Sequence, residues 1–237
     1  MRTLVNTLHP DDYYEIREGV SIAKDAVFKL QDKCQIVVPH EHRYWEYGTG
    51  IQMLLDQYKE NVPLLDILDV GAGWSLFGPA LNLRFNMNVS EYEPVEQYRV
   101  DRGYTNKVLQ GFGKKGVYVH GFGLENMPDQ QYDAVFCISV LEHVSKNIEK
   151  QCWKALAARV RKGGLMLVTC DVVDDPTKPH AFDEMRAMPS YTPADMKERV
   201  EMLKTECNMI ALGIPSYKWN GAHVFDYTFF RAAFMRA

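Results

Sequence analysis

An apolar segment that runs directly into a glycine turn is the feature that most restricts the fold of this chain. Residues 64–70 read LLDILDV, Gly71-Ala72-Gly73 follows at once, and the next segment is compatible with a helix. A buried parallel strand that turns into a helix has this pattern, and the backbone of such a turn can approach a ligand closely. Several cofactors bind at turns of this kind, so the turn alone identifies none of them.

Strand-like and helical segments alternate downstream of the turn. The pattern predicts strands over 87–93, 117–120, 132–138 and 165–171, with helices after Pro94 and over 146–161. Alternation of this kind indicates a parallel sheet with helices covering both faces. We therefore expect an α/β fold with a Rossmann-like, doubly wound sheet.

The two ends of the chain depart from that alternation. Apolar residues recur at helical spacing over 11–33 and 44–58, which predicts two N-terminal helices. Thr192-Pro193-Ala194-Asp195 has the form of a capping box and predicts a helix over 193–206. Strand-like segments over 207–212 and 222–234 follow, and we expect them to pair in antiparallel fashion. The sheet should thus be mostly parallel, with an antiparallel strand at its C-terminal end.

Length and composition favour a single domain. The chain has 237 residues and is 46% hydrophobic, enough for one sizeable core. Within it, we expect residues 1–62 to form an N-terminal helical cap and residues 63–237 to form a cofactor-binding core. The loop over 171–192 leaves the carboxyl end of a strand, which makes it the candidate substrate loop.

Charge and cysteine content limit the partners that this chain can have. Its 27 Lys and Arg residues against 31 Asp and Glu residues give a net charge of -4, so nucleic acid is an unlikely partner. The five cysteines are scattered without a CxxC pair, which indicates neither a disulfide framework nor a metal site. No signal-like or membrane-spanning apolar stretch is present, so we expect a cytoplasmic protein without membrane association.

The residues around the glycine turn discriminate between cofactors. A dinucleotide fingerprint requires a third glycine where this chain has Leu76, and a P-loop requires a Gly-Lys-Ser/Thr sequence that this stretch lacks. S-adenosylmethionine has no phosphate and needs close backbone approach together with acidic groups for its ammonium and hydroxyl groups. Asp69 at the end of the first strand and Glu93 at the end of the second supply such groups.

Four successive segments between residues 64 and 172 resemble the motifs of class I S-adenosylmethionine-dependent methyltransferases. They are Asp69-Val70-Gly71-Ala72-Gly73, then Glu93 in VSEYEP, then Glu125-Asn126-Met127-Pro128, and then YDAVFCISVLEHV over 132–144. The following RVRKGGLMLV is similar to the glycine-containing strand entry of that family. The resemblance implies a methyltransferase domain that uses S-adenosylmethionine and releases S-adenosylhomocysteine.

The same resemblance implies a set of cofactor-binding residues. They are Asp69, Gly71, Ala72, Gly73, Glu93, Leu124, Glu125 and Ser139. Members of the family often carry an aspartate for the adenine amino group at the position of Gly123. Here the backbone around Leu124 and Glu125, or a neighbouring side chain, is expected to recognise adenine instead.

His143 is the candidate general base, because it follows the fourth strand at the edge of the sheet where ligands bind. The alternative is that it only begins a helix or orders the loop. Trp45 is a candidate substrate contact, since the glycines after it in EHRYWEYGTG indicate a close approach by another group. Packing of Trp45 in the core is the alternative. Further candidate substrate contacts lie in the substrate loop: His180, Phe182, Arg186 and Tyr191.

These features predict methyl transfer to an oxygen or nitrogen atom of a small-molecule or sugar-like acceptor. Two alternatives stay open at this stage. One is a methyltransferase acting on protein or nucleic acid, although the [DN]PP[YF] motif is absent at the fourth strand, where Cys137-Ile138-Ser139-Val140 stands. The other is a non-catalytic module that binds the cofactor.

Overall fold

The protein has an α/β fold in which six helices and seven strands are described. The computed structural model describes residues 16–34, 41–121, 127, 129–172, 191–212 and 228–237. The helices are α1 Arg17–Cys34, α2 Glu41–Tyr58, α3 Phe77–Phe85, α4 Glu96–Gly111, α5 Lys146–Ala158 and α6 Pro193–Glu206. The strands are β1 Asp66–Val70, β2 Asn88–Tyr92, β3 Val117–His120, β4 Tyr132–Ile138, β5 Val160–Val172, β6 Met209–Ala211 and β7 Thr228–Arg236. None of the helices in these described ranges is long and apolar enough to cross a membrane.

The strands form one sheet in the order β3-β2-β1-β4-β5-β7-β6. Strand β2 lies parallel to both β1 and β3, whereas β7 lies antiparallel to both β5 and β6. The chain therefore adds strands on one side of β1 and then continues on the other side, as in doubly wound sheets. The predicted Rossmann-like, mostly parallel sheet with an antiparallel C-terminal strand is confirmed.

The chain divides into two compact units, with a boundary between Phe136 and Cys137 inside β4. The first unit contains α1 to α4, β1 to β3 and the start of β4. The second contains the end of β4, α5, α6 and β5 to β7. The prediction of one domain with an N-terminal cap stays a prediction.

In the first unit, helices α1 and α2 cross where both carry glycine. A Cβ atom at Gly19 would lie 2.9 Å from the backbone nitrogen of Gln52, and one at Gly48 would lie 2.7 Å from that of Val20. Gly50 faces the other way, towards the rings of Phe77 and Phe136. The close approach that the glycines of α2 indicated is therefore made by the protein's own helix and aromatic side chains.

In the second unit, local capping and a buried ion pair fix helix α6. Thr192 accepts a hydrogen bond from the backbone of Asp195, whose side chain accepts one from the Thr192 backbone, so the predicted capping box is confirmed. Arg199 of α6 contacts Glu149 of α5 through two hydrogen bonds, of 2.6 and 2.8 Å, and both side chains are buried. Two parallel charge-assisted bonds of this kind are strong and geometrically specific.

The predicted helix over 146–161 ends earlier than expected, at Ala158, and β5 begins at Val160. The guanidinium group of Arg236, at the end of β7, donates hydrogen bonds to the carbonyls of Ala158 and Val160 at 3.2 and 2.6 Å. The Ala158 carbonyl lies in the last turn of α5, where carbonyls lack partners within the helix, and Arg236 supplies one. A contact from a side chain so distant in sequence leaves no local signal for the end of the helix.

We expect Gly48→Ala to lower the free energy of unfolding by about 1–3 kcal/mol, because the added methyl group has no room between α1 and α2. The matched control is Gly103→Ala in α4, where nothing lies within 4 Å of the added Cβ. Helix propensity alone should make that control about 1 kcal/mol more stable. Urea unfolding of both variants measures the difference, and equal effects at the two sites would contradict the described helix crossing.

Candidate functional site

The glycine turn after β1 is attached to the end of β2 through its backbone. Gly71 and Gly73 have φ angles of 70° and 49°, in the region that glycine adopts without strain. The backbone nitrogen of Gly71 donates a 2.7 Å hydrogen bond to the carbonyl of Tyr92, and that of Ala72 donates a 3.4 Å bond to the same oxygen. The predicted strand, turn and helix are all present, since α3 begins at Phe77.

Glu93 follows β2 directly, and both of its carboxylate oxygens are fixed by backbone donors. Oε2 accepts a 2.7 Å hydrogen bond from the nitrogen of Gly73, and Oε1 accepts a 2.8 Å bond from the nitrogen of Val95. The residue is 5% exposed. An ionised carboxylate has about four acceptor positions, so Glu93 can still accept hydrogen bonds from two further hydroxyl groups.

Three charged side chains are buried beside the turn: Asp69, Glu91 and Arg102 are 2%, 1% and 3% exposed. Nε of Arg102 lies 2.5 Å from Oε2 of Glu91, and its Nη2 donates a 2.6 Å hydrogen bond to the carbonyl of Ser75. The strand register pairs Asp69 with Glu91, so their side chains point to the same face of the sheet. Arg102 of α4 therefore links β2 to the glycine turn.

The electrostatic environment of Asp69 disfavours its charge. Burial raises the pKa of its carboxyl group well above the usual range, and the negative charge of Glu91 raises it further. Arg102 and the backbone N–H of Gly78 lower the pKa, and their effects are smaller than that of burial. Among the described residues, Oδ2 of Asp69 has no hydrogen-bond partner. A donor or cation from a ligand would stabilise the ionised form of this carboxyl group.

Helix α2 contacts the turn through Tyr47. The Tyr47 hydroxyl lies 2.9 Å from Oγ of Ser75 and accepts a 3.3 Å hydrogen bond from the backbone nitrogen of Leu76. Trp45, the candidate substrate contact, is fully buried in the core of this unit. Its environment agrees with the packing alternative, and a substrate role for Trp45 stays a prediction without support from its position.

The second unit holds the remaining described candidates. Ser139 follows β4 with a φ angle of 51°, and its nitrogen donates hydrogen bonds to the carbonyl and hydroxyl oxygens of Thr169. His143 ends a short 3-10 helix, Leu141–His143. The hydroxyl of Tyr191 donates a 3.0 Å hydrogen bond to the carbonyl of Leu141, and burial raises the pKa of Tyr191. The predicted roles of Ser139, His143 and Tyr191 stay predictions.

Five of the predicted contacts lie outside the described residues: Leu124, Glu125, His180, Phe182 and Arg186. Two residues of the site were not predicted from the sequence, namely Glu91 and Arg102. Glu91 lies in a buried strand, where a charged side chain needs a partner. This position is the sequence signal that could have identified Glu91 as part of the site. No local pattern indicates that the partner is Arg102, eleven residues later on helix α4.

We expect Asp69→Asn to flatten the pH dependence of stability. The folded protein keeps the proton of Asp69 at pH values where the unfolded chain has released it, above about pH 4, so the free energy of unfolding falls as the pH rises through the raised pKa. Asparagine does not titrate. Urea unfolding from pH 5 to 8 should show wild type losing up to about 1.4 kcal/mol per pH unit more than the variant, until the pH passes the raised pKa of Asp69.

Asp25→Asn is the control, because Asp25 is exposed on α1. That variant should keep the wild-type pH profile. Parallel profiles for wild type and Asp69→Asn would contradict the described environment of Asp69.

Comparison with known proteins adds a sequence relative. No protein-family model matches the chain. Over 135 residues it is 34% identical to a sterol 24-C-methyltransferase of Yarrowia lipolytica, a match that covers 56% of this chain and 32% of that protein. The chain therefore spans about a third of the length of this curated relative.

Solved structures share the fold. TehB from Haemophilus influenzae matches with a TM-score of 0.60 at 13% identity, over 87% of this chain and 65% of that one. Magnesium protoporphyrin IX methyltransferase from Synechocystis PCC 6803, solved with bound S-adenosylmethionine, matches with a TM-score of 0.53 at 13% identity, over 92% of this chain and 97% of that one. In fold, this chain is therefore similar to S-adenosylmethionine-dependent methyltransferases, and in sequence over half of its length it is similar to part of a methyltransferase.

Proposed function

We propose that this chain is an enzyme that binds S-adenosylmethionine and transfers its methyl group to a small molecule. The observation that carries the proposal is the fixed carboxylate of Glu93, held at 2.7 Å by the nitrogen of Gly73 in the glycine turn. A carboxylate at the end of the second strand, beside a glycine turn after the first, suits a nucleoside ribose in open α/β sheets. The structurally similar magnesium protoporphyrin IX methyltransferase binds this cofactor.

The described residues fit the chemical groups of this cofactor. Glu93 would accept hydrogen bonds from the two ribose hydroxyls through its unused lone pairs. Gly71 and Gly73 adopt positive φ angles and carry no side chains, so a ligand can approach the main chain at these two positions. Asp69, with one oxygen lacking a partner among the described residues, would pair with the ammonium group. S-adenosylmethionine would supply an electrophilic methyl group on its sulfonium.

For the acceptor, we propose an oxygen or nitrogen atom of a small-molecule or sugar-like compound. Such an atom loses a proton as it gains the methyl group, so a neighbouring base accelerates the transfer. His143 is the proposed base, because a neutral imidazole titrates near physiological pH. The net charge of -4 supports a small acceptor over nucleic acid, whose phosphates attract basic surfaces.

A carbon acceptor is the second candidate. The Yarrowia lipolytica relative is, by its name, a sterol C-methyltransferase, and the 34% identity favours related chemistry in this chain. The candidates differ in the bond that forms, which is carbon to oxygen or nitrogen in one and carbon to carbon in the other. Fragmentation of an isotope-labelled product by mass spectrometry distinguishes these bonds.

Glu93→Ala should weaken binding of S-adenosylhomocysteine by about 10²–10⁴-fold, since it removes two hydrogen bonds to a charged acceptor at about 1.5–3 kcal/mol each. Isothermal titration calorimetry measures this loss directly. The matched control is Glu96→Ala, three residues later and exposed in the first turn of α4, which should bind like wild type. NAD should not bind to any of the three proteins.

Loss of binding in Glu96→Ala with unchanged binding in Glu93→Ala would contradict the proposal that the glycine turn and Glu93 bind the cofactor. If wild type binds neither S-adenosylmethionine nor S-adenosylhomocysteine while circular dichroism shows it folded, the proposed function is wrong. Tight cofactor binding with no turnover across a broad acceptor panel would instead favour a non-catalytic module.

His143→Ala should lower kcat by about 10²–10⁴-fold for an oxygen or nitrogen acceptor, which is the usual contribution of a general base. The affinity for S-adenosylhomocysteine should change less than twofold, because the role assigned to His143 is towards the acceptor. Radiolabelled methyl transfer measures the first quantity and calorimetry the second. An unchanged kcat would remove His143 from the mechanism.

A further inference from the structure

The ends of β1 and β2 carry more buried negative charge than the described groups around them balance. Asp69, Glu91 and Glu93 are each at most 5% exposed, and Arg102 is the buried cation beside them. The guanidinium of Arg102 is already engaged with Glu91 and with the carbonyl of Ser75. Glu93 is compensated by two backbone N–H groups. Asp69 is left with the weakest compensation of the three.

Charged or polar groups near Asp69 come from α2, α3, α4 and the end of β2. The N–H of Gly78 in α3 donates to its carboxyl group, and Arg102 of α4 is the attracting charge. Glu91 of β2 and Glu93 after it are the repelling charges. From α2 comes the buried hydroxyl of Tyr47, whose own environment includes Arg43 and Glu46. Burial first, and then the charge of Glu91, favour the neutral form of Asp69, against the opposing effects of Arg102 and Gly78.

The position of Glu91 against the first turn of α3 is fixed by shape. A Cβ atom at Gly78 would lie 2.5 Å from Oε1 of Glu91 and 3.2 Å from Cγ1 of Val89. Because Gly78 has no side chain, the first turn of α3 can lie close to the carboxyl groups of Asp69 and Glu91. Because Glu91 is buried and paired with Arg102, it cannot move away from Asp69 without breaking the ion pair.

We propose that buried Glu91, held in place by its ion pair with Arg102, is a positioning residue that keeps Asp69 protonated in the unliganded protein, and that Asp69 releases this proton when the cationic amino group of the cofactor binds. The inference rests on the proposed function, because it takes the cofactor as the source of the cation. The O–H bond of the Asp69 carboxyl group breaks, the proton passes to solvent, and an N–H of the ammonium group donates to the freed oxygen. No oxidant or reductant takes part.

Two consequences follow for binding. At pH values where Asp69 is protonated in the free protein, the ammonium group of the cofactor competes with this proton. The affinity for the cofactor should then rise with pH, by up to tenfold per pH unit when one proton is released. Where Asp69 is already ionised, the dependence disappears. A role of Glu91 and Arg102 in folding alone would change the stability of the protein and leave the number of released protons unaffected.

The test is calorimetric titration with S-adenosylhomocysteine at pH 5.5 to 7.0, in phosphate and in imidazole buffers, which differ in ionisation enthalpy. An α-amino group titrates at about 7.7–8.0, so the ligand keeps its charge in this range. Wild type should release about one proton per bound ligand at the lower pH values. Asp69→Asn should release none, and 5′-methylthioadenosine, which lacks the amino group, should release none from wild type.

Glu91→Gln should release fewer protons than wild type at pH 5.5, because Asp69 would then ionise more readily in the free protein. Glu149→Gln is the matched control, since it also breaks a buried glutamate–arginine pair, in the second unit, and should release as many protons as wild type. Binding without any buffer dependence, or equal proton release by wild type and Asp69→Asn, would overturn the inference and leave the proposed function intact. Absence of binding would overturn the proposed function itself.

Discussion

The hydrogen bond from the nitrogen of Gly73 to the carboxylate of Glu93 is the contact on which the candidate site depends. It joins the turn after β1 to the residue that follows β2, at 2.7 Å. The backbone bond from Gly71 to Tyr92 runs between the same two segments. Since both glycines have positive φ angles, the turn brings the main chain itself to the edge of the sheet. A ligand held there would contact backbone on one side and a fixed carboxylate on the other.

Two buried glutamate–arginine pairs in this chain differ in the charged groups around them. Glu149 and Arg199 meet through two hydrogen bonds and compensate each other between α5 and α6. Glu91 and Arg102 also pair, but Asp69 lies opposite Glu91 in the strand register and adds a second buried carboxyl group. Buried charge that lacks a partner is costly in the interior. The excess at the ends of β1 and β2 is therefore more informative about ligands than either pair alone.

Features set by neighbouring residues were predictable from the sequence. The apolar strand before Gly71, the register of Glu93 and the capping box at Thr192 depend on a few adjacent residues, and each is present as predicted. Features set by distant contacts were not. Arg236 of the last strand donates hydrogen bonds at the end of α5, and Arg102 of α4 pairs with Glu91 of β2. The glycines of α2 were recognised as a point of close approach, but the partner there is α1 rather than a ligand.

A crystal structure of the protein with S-adenosylhomocysteine would test the central claim most directly. The ribose hydroxyls should lie about 2.5–3.0 Å from the two oxygens of Glu93, and the ammonium group should lie within hydrogen-bond distance of Asp69. The bonds from Gly73 and Val95 to Glu93 should persist in the complex. A ligand whose ribose contacts neither Glu93 nor the glycine turn would contradict the claim.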